Sequence, residues 1–171
     1  MDERFGQRWG DAMIVKGITD EDFVNYRRPA MYICTATCDF KCDAANGREC
    51  CQNHDLANAP DIAIPDTDIC MRYIENPITS AIVFGGLEPL DQFTEMFNLI
   101  SKLRFEFGIN HPVIIYTGYD PDEVKGKIAA LQMFHNIIVK FGRYVPGQQP
   151  HYDPILGVEL ASDNQHAKVI C

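Results

Sequence analysis

Apolar and polar positions alternate between two periods along this chain. Short apolar runs read as buried strands: Met31–Cys34, Ser80–Phe84, Pro112–Thr117 and Asn136–Lys140, with a last short strand within Leu156–Leu160. Between them the period lengthens to that of a helix. Phe93, Met96, Phe97, Ile100 and Leu103 fall on one face of a 3.6-residue repeat, which predicts an amphipathic helix with that face in the core. Pro65–Ile74 reads as a shorter helix with Asp66 or Asp68 as its N-cap. Asp120-Pro121-Asp122-Glu123 reads as another helix start, with Asp120 as cap, Pro121 at the first position and Glu123 reaching back. Gly142 to Asp153 is polar and contains proline, so it is expected to be a loop.

Strands alternating with helices imply parallel βαβ units and an α/β fold. In such folds ligands collect at the carboxyl ends of the strands. Four segments are then expected on one rim: the cysteine loop after the first strand, Gly85-Gly86 after the second, Thr117-Gly118 after the third and Phe141-Gly142-Arg143 after the fourth. At 171 residues, and with neither repeat nor linker, the chain is expected to form a single domain, residues 1–171.

Composition narrows the function. A net charge of −9 argues against a phosphate-backbone partner, so no nucleic acid is expected. No apolar run approaches the roughly 20 residues of a membrane span, so no membrane is expected either. The N-terminus, MDERFGQRWGD, lacks the apolar region of an export signal, which implies a cytoplasmic protein.

The seven cysteines change the picture. Four of them, Cys38, Cys42, Cys50 and Cys51, crowd into the loop after the first strand. Clustered thiols in a chain without an export signal point to a metal or to catalysis rather than to disulfides. Two centres fit the spacing. Cys38, Cys42, Cys51 and His54, or Cys50 in place of His54, would make a tetrahedral zinc site in a non-catalytic binding module. Three of the thiols would instead hold an iron–sulfur cluster with one iron left open. Spacing alone does not separate these.

The neighbouring motifs do. Cys38-Asp-Phe-Lys-Cys42 and Cys51-Gln-Asn53 resemble the two halves of the C-N-x-x-C-x-x-C-H-N segment carried by one group of radical S-adenosylmethionine (SAM) enzymes, the activating proteins of anaerobic ribonucleotide reductases. Within that superfamily the chain is most similar to these activating proteins. Asp22-Phe-Val-Asn-Tyr26 resembles their D-x-V-N-G, Gly85-Gly86-Leu87-Glu88-Pro89 the G-G-E-P motif, and Tyr116-Thr117-Gly118-Tyr119 the W/Y-T-G-Y motif. Gly142-Arg143-Tyr144, Tyr152-Asp153-Pro154 and Ala161-Ser162-Asp163-Asn164-Gln165 resemble their C-terminal G-R-F, D-P and S-S-N-Q segments. The likeness runs in order from Asp22 to Ile170. The chain departs from the pattern in its C-x3-C-x8-C spacing, in the inserted Leu87 and in Phe141, where the activases tend to carry Asp.

The resemblance implies a partial (βα) barrel in which Cys38, Cys42 and Cys51 hold a [4Fe-4S] cluster, with Cys50 as the alternative third ligand and Cys34 as a small core thiol. It implies cofactor contacts from Gly85, Gly86, Glu88, Thr117, Arg143 and Asn164, with Arg143 on the SAM carboxylate, and no catalytic residue beyond the cluster and cofactor ligands. The implied activity is reductive cleavage of SAM to a 5′-deoxyadenosyl radical. The implied partners are a glycyl-radical protein such as anaerobic ribonucleotide reductase and an electron donor such as flavodoxin or ferredoxin. A different protein or a small molecule as substrate is the alternative within the same chemistry.

Overall fold

The computed structural model describes residues 11–171. Its centre is a seven-stranded sheet in the order β3-β1-β2-β4-β5-β6-β9. The strands are β1 (Ala12–Asp22), β2 (Ala30–Thr35), β3 (Ile62–Pro65), β4 (Ile82–Gly86), β5 (Val113–Tyr116), β6 (Ile137–Phe141) and β9 (His166–Val169). Strands β2, β4, β5 and β6 run parallel and are the four strongest apolar runs in the sequence. β1, β3 and β9 join antiparallel at the two sides. The end strands β3 and β9 do not pair with each other, so the sheet is open. A separate hairpin pairs β7 (His151–Asp153) with β8 (Val158–Leu160).

The parallel strands are apolar apart from Thr35 and Lys140 near their carboxyl ends because both faces are covered. Ile82 and Phe84 face one layer and Val83 the other, as the two-residue period requires. On the first face, Met31, Ile33, Ile115 and Val139 pack with helices α3 (Asp66–Glu75) and α4 (Phe93–Phe105), through Ile69, Tyr73, Met96, Leu99 and Ile100. Each fully buried side chain of this size contributes roughly 1.5–3 kcal/mol. On the second face, Val83, Ile114 and Ile138 meet Tyr26, Leu156 and Leu160 from loops and the hairpin.

Helix α4 buries Met96, Ile100 and Leu103 as the periodicity predicts, while Phe93 and Phe97 are partly buried against the same cluster. Helix α3 follows β3 directly and is capped by Pro65 backbone, not by an aspartate side chain. Asp66 lies inside the first turn, buried, its carboxyl pushed up to about 6 by that burial. Asp120 and Glu123 do pair as expected, Glu123 Oε2 accepting the Asp120 N–H at 2.8 Å, but they close a 3-10 turn, Pro121–Glu123. Helix α5 (Lys125–Leu131) begins only after it.

Two carboxylates tie the site's walls to this frame. Asp22 accepts the N–H and the side-chain amide of Asn25 at 3.0 and 3.1 Å, which closes the turn from β1 to β2. Asp153, buried, accepts the N–H groups of Ile155, Leu156 and Ala167 at 2.9 Å each, joining the hairpin to β9. Asp153→Ala would leave three donors unpaired, two of them buried, and a loss of about 2–4 kcal/mol in chemical denaturation is expected. A midpoint unchanged from the parent would contradict that role.

Candidate functional site

Because β2, β4, β5 and β6 are parallel, the loops that follow them share one rim. The cysteine loop leaves β2 stitched to its neighbours. Thr35 Oγ1 donates to Gly85 O at 3.1 Å, the Ala36 N–H donates to Gln92 Oε1 at 2.9 Å, and Thr37 O accepts the Glu88 N–H at 2.8 Å. Phe40 then adopts a left-handed backbone, φ 54°, uncommon outside glycine, asparagine and aspartate. This bend starts the short helix α1 (Lys41–Asn46), which carries Cys42 and stops at Gly47, φ 64°. After the spacer, Cys51 precedes helix α2 (His54–Ala57).

Asp43 organises the spacer. Its Oδ1 accepts the N–H groups of Cys50 and Cys51 at 2.8 and 2.9 Å, and its Oδ2 pairs with His54 Nε2 at 2.6 Å. The Cys50 amide first, then His54 and the Cys51 amide, draw its carboxyl down to about 2. The His54 ring stacks on Phe40, centroids 4.7 Å apart and 8° from parallel.

Cys38, Cys42 and Cys51 line one cavity of about 330 Å³ with Gly86, Glu88 and Thr117. Cys50 turns away, its Sγ 3.6 Å from Cys42 O, and Cys34 stays half-buried on β2. His54 is occupied by Asp43 and Phe40 and is not part of the wall, so the Cys3His set is not assembled. Two thiols receive backbone N–H groups, Cys38 from Phe40 at 3.3 Å and Cys51 from Asn53 at 3.4 Å. Burial pushes the Cys38 thiol up to about 12, and burial followed by the neighbouring Cys51 raises Cys42.

The second and third loops meet at Glu88. Its carboxylate accepts the Leu90 N–H at 3.0 Å and the Gly118 N–H at 2.8 Å, and burial holds its pKa above the usual range. Thr117 Oγ1 accepts the Tyr119 N–H at 3.0 Å and so shapes the same turn. Gly86 has φ 83°, and Asn53 Nδ2 donates to its carbonyl at 2.6 Å. A Cβ there would lie 3.0 Å from Leu56 Cδ2 and 3.1 Å from Cys34 Cα. Gly86→Ala is therefore expected to cost more than about 1 kcal/mol in a thermal or denaturant melt, and a neutral effect would contradict the strain. Gly85 lies one residue back, under Tyr32, and does not line the cavity. Leu87, inserted relative to the motif, is part of the wall.

The fourth loop differs from expectation. Arg143 is held by Glu123 through two bonds of 2.8 Å and lies outside the main cavity, in a small recess behind Cys38 and Cys42. Asn164 is exposed, its Nδ2 donating to Arg143 O at 2.8 Å, so it supports the loop without facing the cavity. The cation on the wall is Lys140, at the end of β6. It is 7% exposed, its Nζ donates to Gly142 O at 2.9 Å, and burial draws it down to about 8. The signal for it in the sequence is a lysine directly after the apolar run Ile137–Val139, at the carboxyl end of a strand. Gln165 also lines the wall, its Oε1 accepting Ala161 and Ser162 N–H groups.

Residues 27–165 match the family model of the 4Fe-4S single cluster domain. The chain belongs to the 4Fe-4S single cluster domain family. No curated protein and no solved structure matches it. The donor set fits such a cluster. Three soft, part-buried thiols share one wall, and two of them already receive the N–H bonds that tune cluster sulfurs. Among the described residues, no helix of this 4Fe-4S domain is long and apolar enough to cross a membrane.

Proposed function

We propose that the protein is a radical SAM enzyme in which Cys38, Cys42 and Cys51 hold the [4Fe-4S] cluster and the adjoining cavity receives SAM. One observation carries the reading: the three thiols share a cavity wall with a buried carboxylate and a buried ammonium, Glu88 and Lys140. SAM bears an α-amino and an α-carboxylate group, and the two buried wall charges complement them, while the third, Glu159, is exposed. A reduced cluster held by Cys38, Cys42 and Cys51 would supply the one electron needed to cleave the sulfonium of SAM reductively to methionine and a 5′-deoxyadenosyl radical.

The chain's own residues bind and orient. Glu88, held in place by the Leu90 and Gly118 amides, turns its charge toward the ligand's ammonium. Lys140 meets the carboxylate and exchanges its neutral carbonyl acceptor for an anionic one. Gly86, with no Cβ, lets the ligand approach the backbone. Thr117 fixes the turn that presents Gly118. Tyr32, Tyr116 and Leu160 also line the cavity and limit water.

The open sheet, with helices on its first face and the cavity at its rim, reads as a partial barrel. The ordered motifs from Asp22 to Ile170 support a protein substrate, a glycyl-radical enzyme of the anaerobic ribonucleotide reductase type, with a flavodoxin or ferredoxin as reductant. The test is anaerobic reconstitution with iron and sulfide, reduction, and addition of SAM. Release of 5′-deoxyadenosine is expected, and a glycyl radical signal should appear on a co-incubated reductase. A loaded, reduced protein that leaves SAM intact would refute the activity. Cleavage without transfer to the reductase would refute the partner alone.

A further inference from the structure

Cys50 and Cys51 are adjacent and chemically identical, yet only Cys51 reaches the cavity. Helix propensity does not distinguish them, and the spacer from Asp43 to Cys50 is long enough to offer either sulfur. The distinguishing feature is the bond pattern at Asp43. One carboxylate oxygen takes both successive N–H groups, at 2.8 and 2.9 Å, and so fixes the backbone direction of the pair. With that direction set, Cys50 Sγ points back to Cys42 O and Cys51 Sγ points to the cavity. The other oxygen takes His54 Nε2, and the stacked Phe40 donates its N–H to Cys38 Sγ. One side chain thus links the segments that carry all three thiols.

We propose that Asp43 is a positioning residue that selects Cys51 over Cys50 as the third cluster ligand. This rests on the cluster reading above. Without the clamp the stretch after α1 loses the bonds that fix the direction of the Cys50-Cys51 pair, and the cost of closing that stretch on a metal differs little for neighbouring residues. The selectivity then resides in Asp43, and the thiols themselves are interchangeable.

The experiment places Cys50→Ala and Cys51→Ala separately in three backgrounds: Asp43, Asp43→Asn and Asp43→Ala. Bound iron and sulfide per chain and the visible cluster absorbance are read after anaerobic reconstitution, with circular dichroism as the check on folding. With Asp43 present, Cys51→Ala should hold at least about tenfold less cluster than Cys50→Ala, the scale on which partners of metal ligands act. With Asp43→Ala that ratio should fall to about twofold or less. Asp43→Asn keeps an oxygen for the two amides and should restore the preference.

Should Asp43→Ala fail to fold, Asp43→Glu serves instead. It keeps the charge but displaces both oxygens by one methylene, and should lower the ratio at least about threefold. A tenfold preference that persists in Asp43→Ala, or in Asp43→Glu where that variant stands in, overturns the proposal. So does equal loss in Asp43→Asn and Asp43→Ala. A parent protein that binds no cluster would instead refute the ligand reading on which the proposal rests.

Discussion

Replacing Cys38, Cys42 or Cys51 with alanine, one at a time, is expected to strip the reconstituted protein of its cluster absorbance and of all 5′-deoxyadenosine release. Cys34→Ala is expected to keep both. The size of the effect follows from ligand count. Three protein thiolates are the minimum that holds a cube with one iron open, and removing one leaves a labile pair. The thiols act as a unit because they share one wall, whereas Cys34 sits on β2 against the Gly86 turn and contributes packing only. Iron analysis, visible spectra and product chromatography on the four variants check this. Loss in Cys34→Ala equal to that in Cys38→Ala, on a folded protein, would mean that the ligand set is drawn wrongly.

Lys140→Met is expected to separate stability from function. Burying an ammonium with one carbonyl as hydrogen-bond partner is costly, and desolvation outweighs the attraction of Glu88 and Cys42, so a thioether of similar length should raise the unfolding free energy by about 1–3 kcal/mol. The pH dependence has a defined sign. The folded-state value is about 8 and the ordinary one 10.5, so between them the unfolded chain binds more protons and parent stability rises with pH. Below about 8 both states carry the charge and the full penalty applies. In Lys140→Met that rise should vanish. Binding of SAM should move the other way: it should weaken by about tenfold or more in the variant, the worth of a charge-assisted bond. In the parent it should weaken as pH climbs through about 8. Calorimetric unfolding and binding titrations at two pH values read both effects. A variant that is less stable than the parent, or that binds SAM as well, would remove Lys140 from the cavity's chemistry.

How much of this was legible in the sequence depended on the range of the interaction. Strands β2, β4, β5 and β6 are buried on both faces, so each appears as an apolar run, that of β6 interrupted only at Lys140. β1 buries one face only, through Met13 and Val15, and Lys16 and Gly17 break its alternation at a bulge. β9 buries only Ala167, and β3 is exposed at Ile62 and Ala63, so neither carries a pattern. The motif residues fared likewise. Thr117, Gly118 and Glu88 converge because short turns place them on one rim, and rim positions follow from strand order. The partner of Arg143 does not: Glu123 claims it from another loop, a pairing that no local spacing announces. The choice between Cys50 and Cys51 was equally hidden, since it turns on which amides Asp43 accepts.

The measurement closest to the central claim is the electron paramagnetic resonance spectrum of the reduced, reconstituted protein, recorded with and without SAM. The account predicts a reduced [4Fe-4S] signal whose g values shift when SAM is added, because an iron with no protein ligand is open to it. A signal that SAM leaves unchanged would mean that every iron is already occupied by the protein, and the proposed chemistry would have no place to begin.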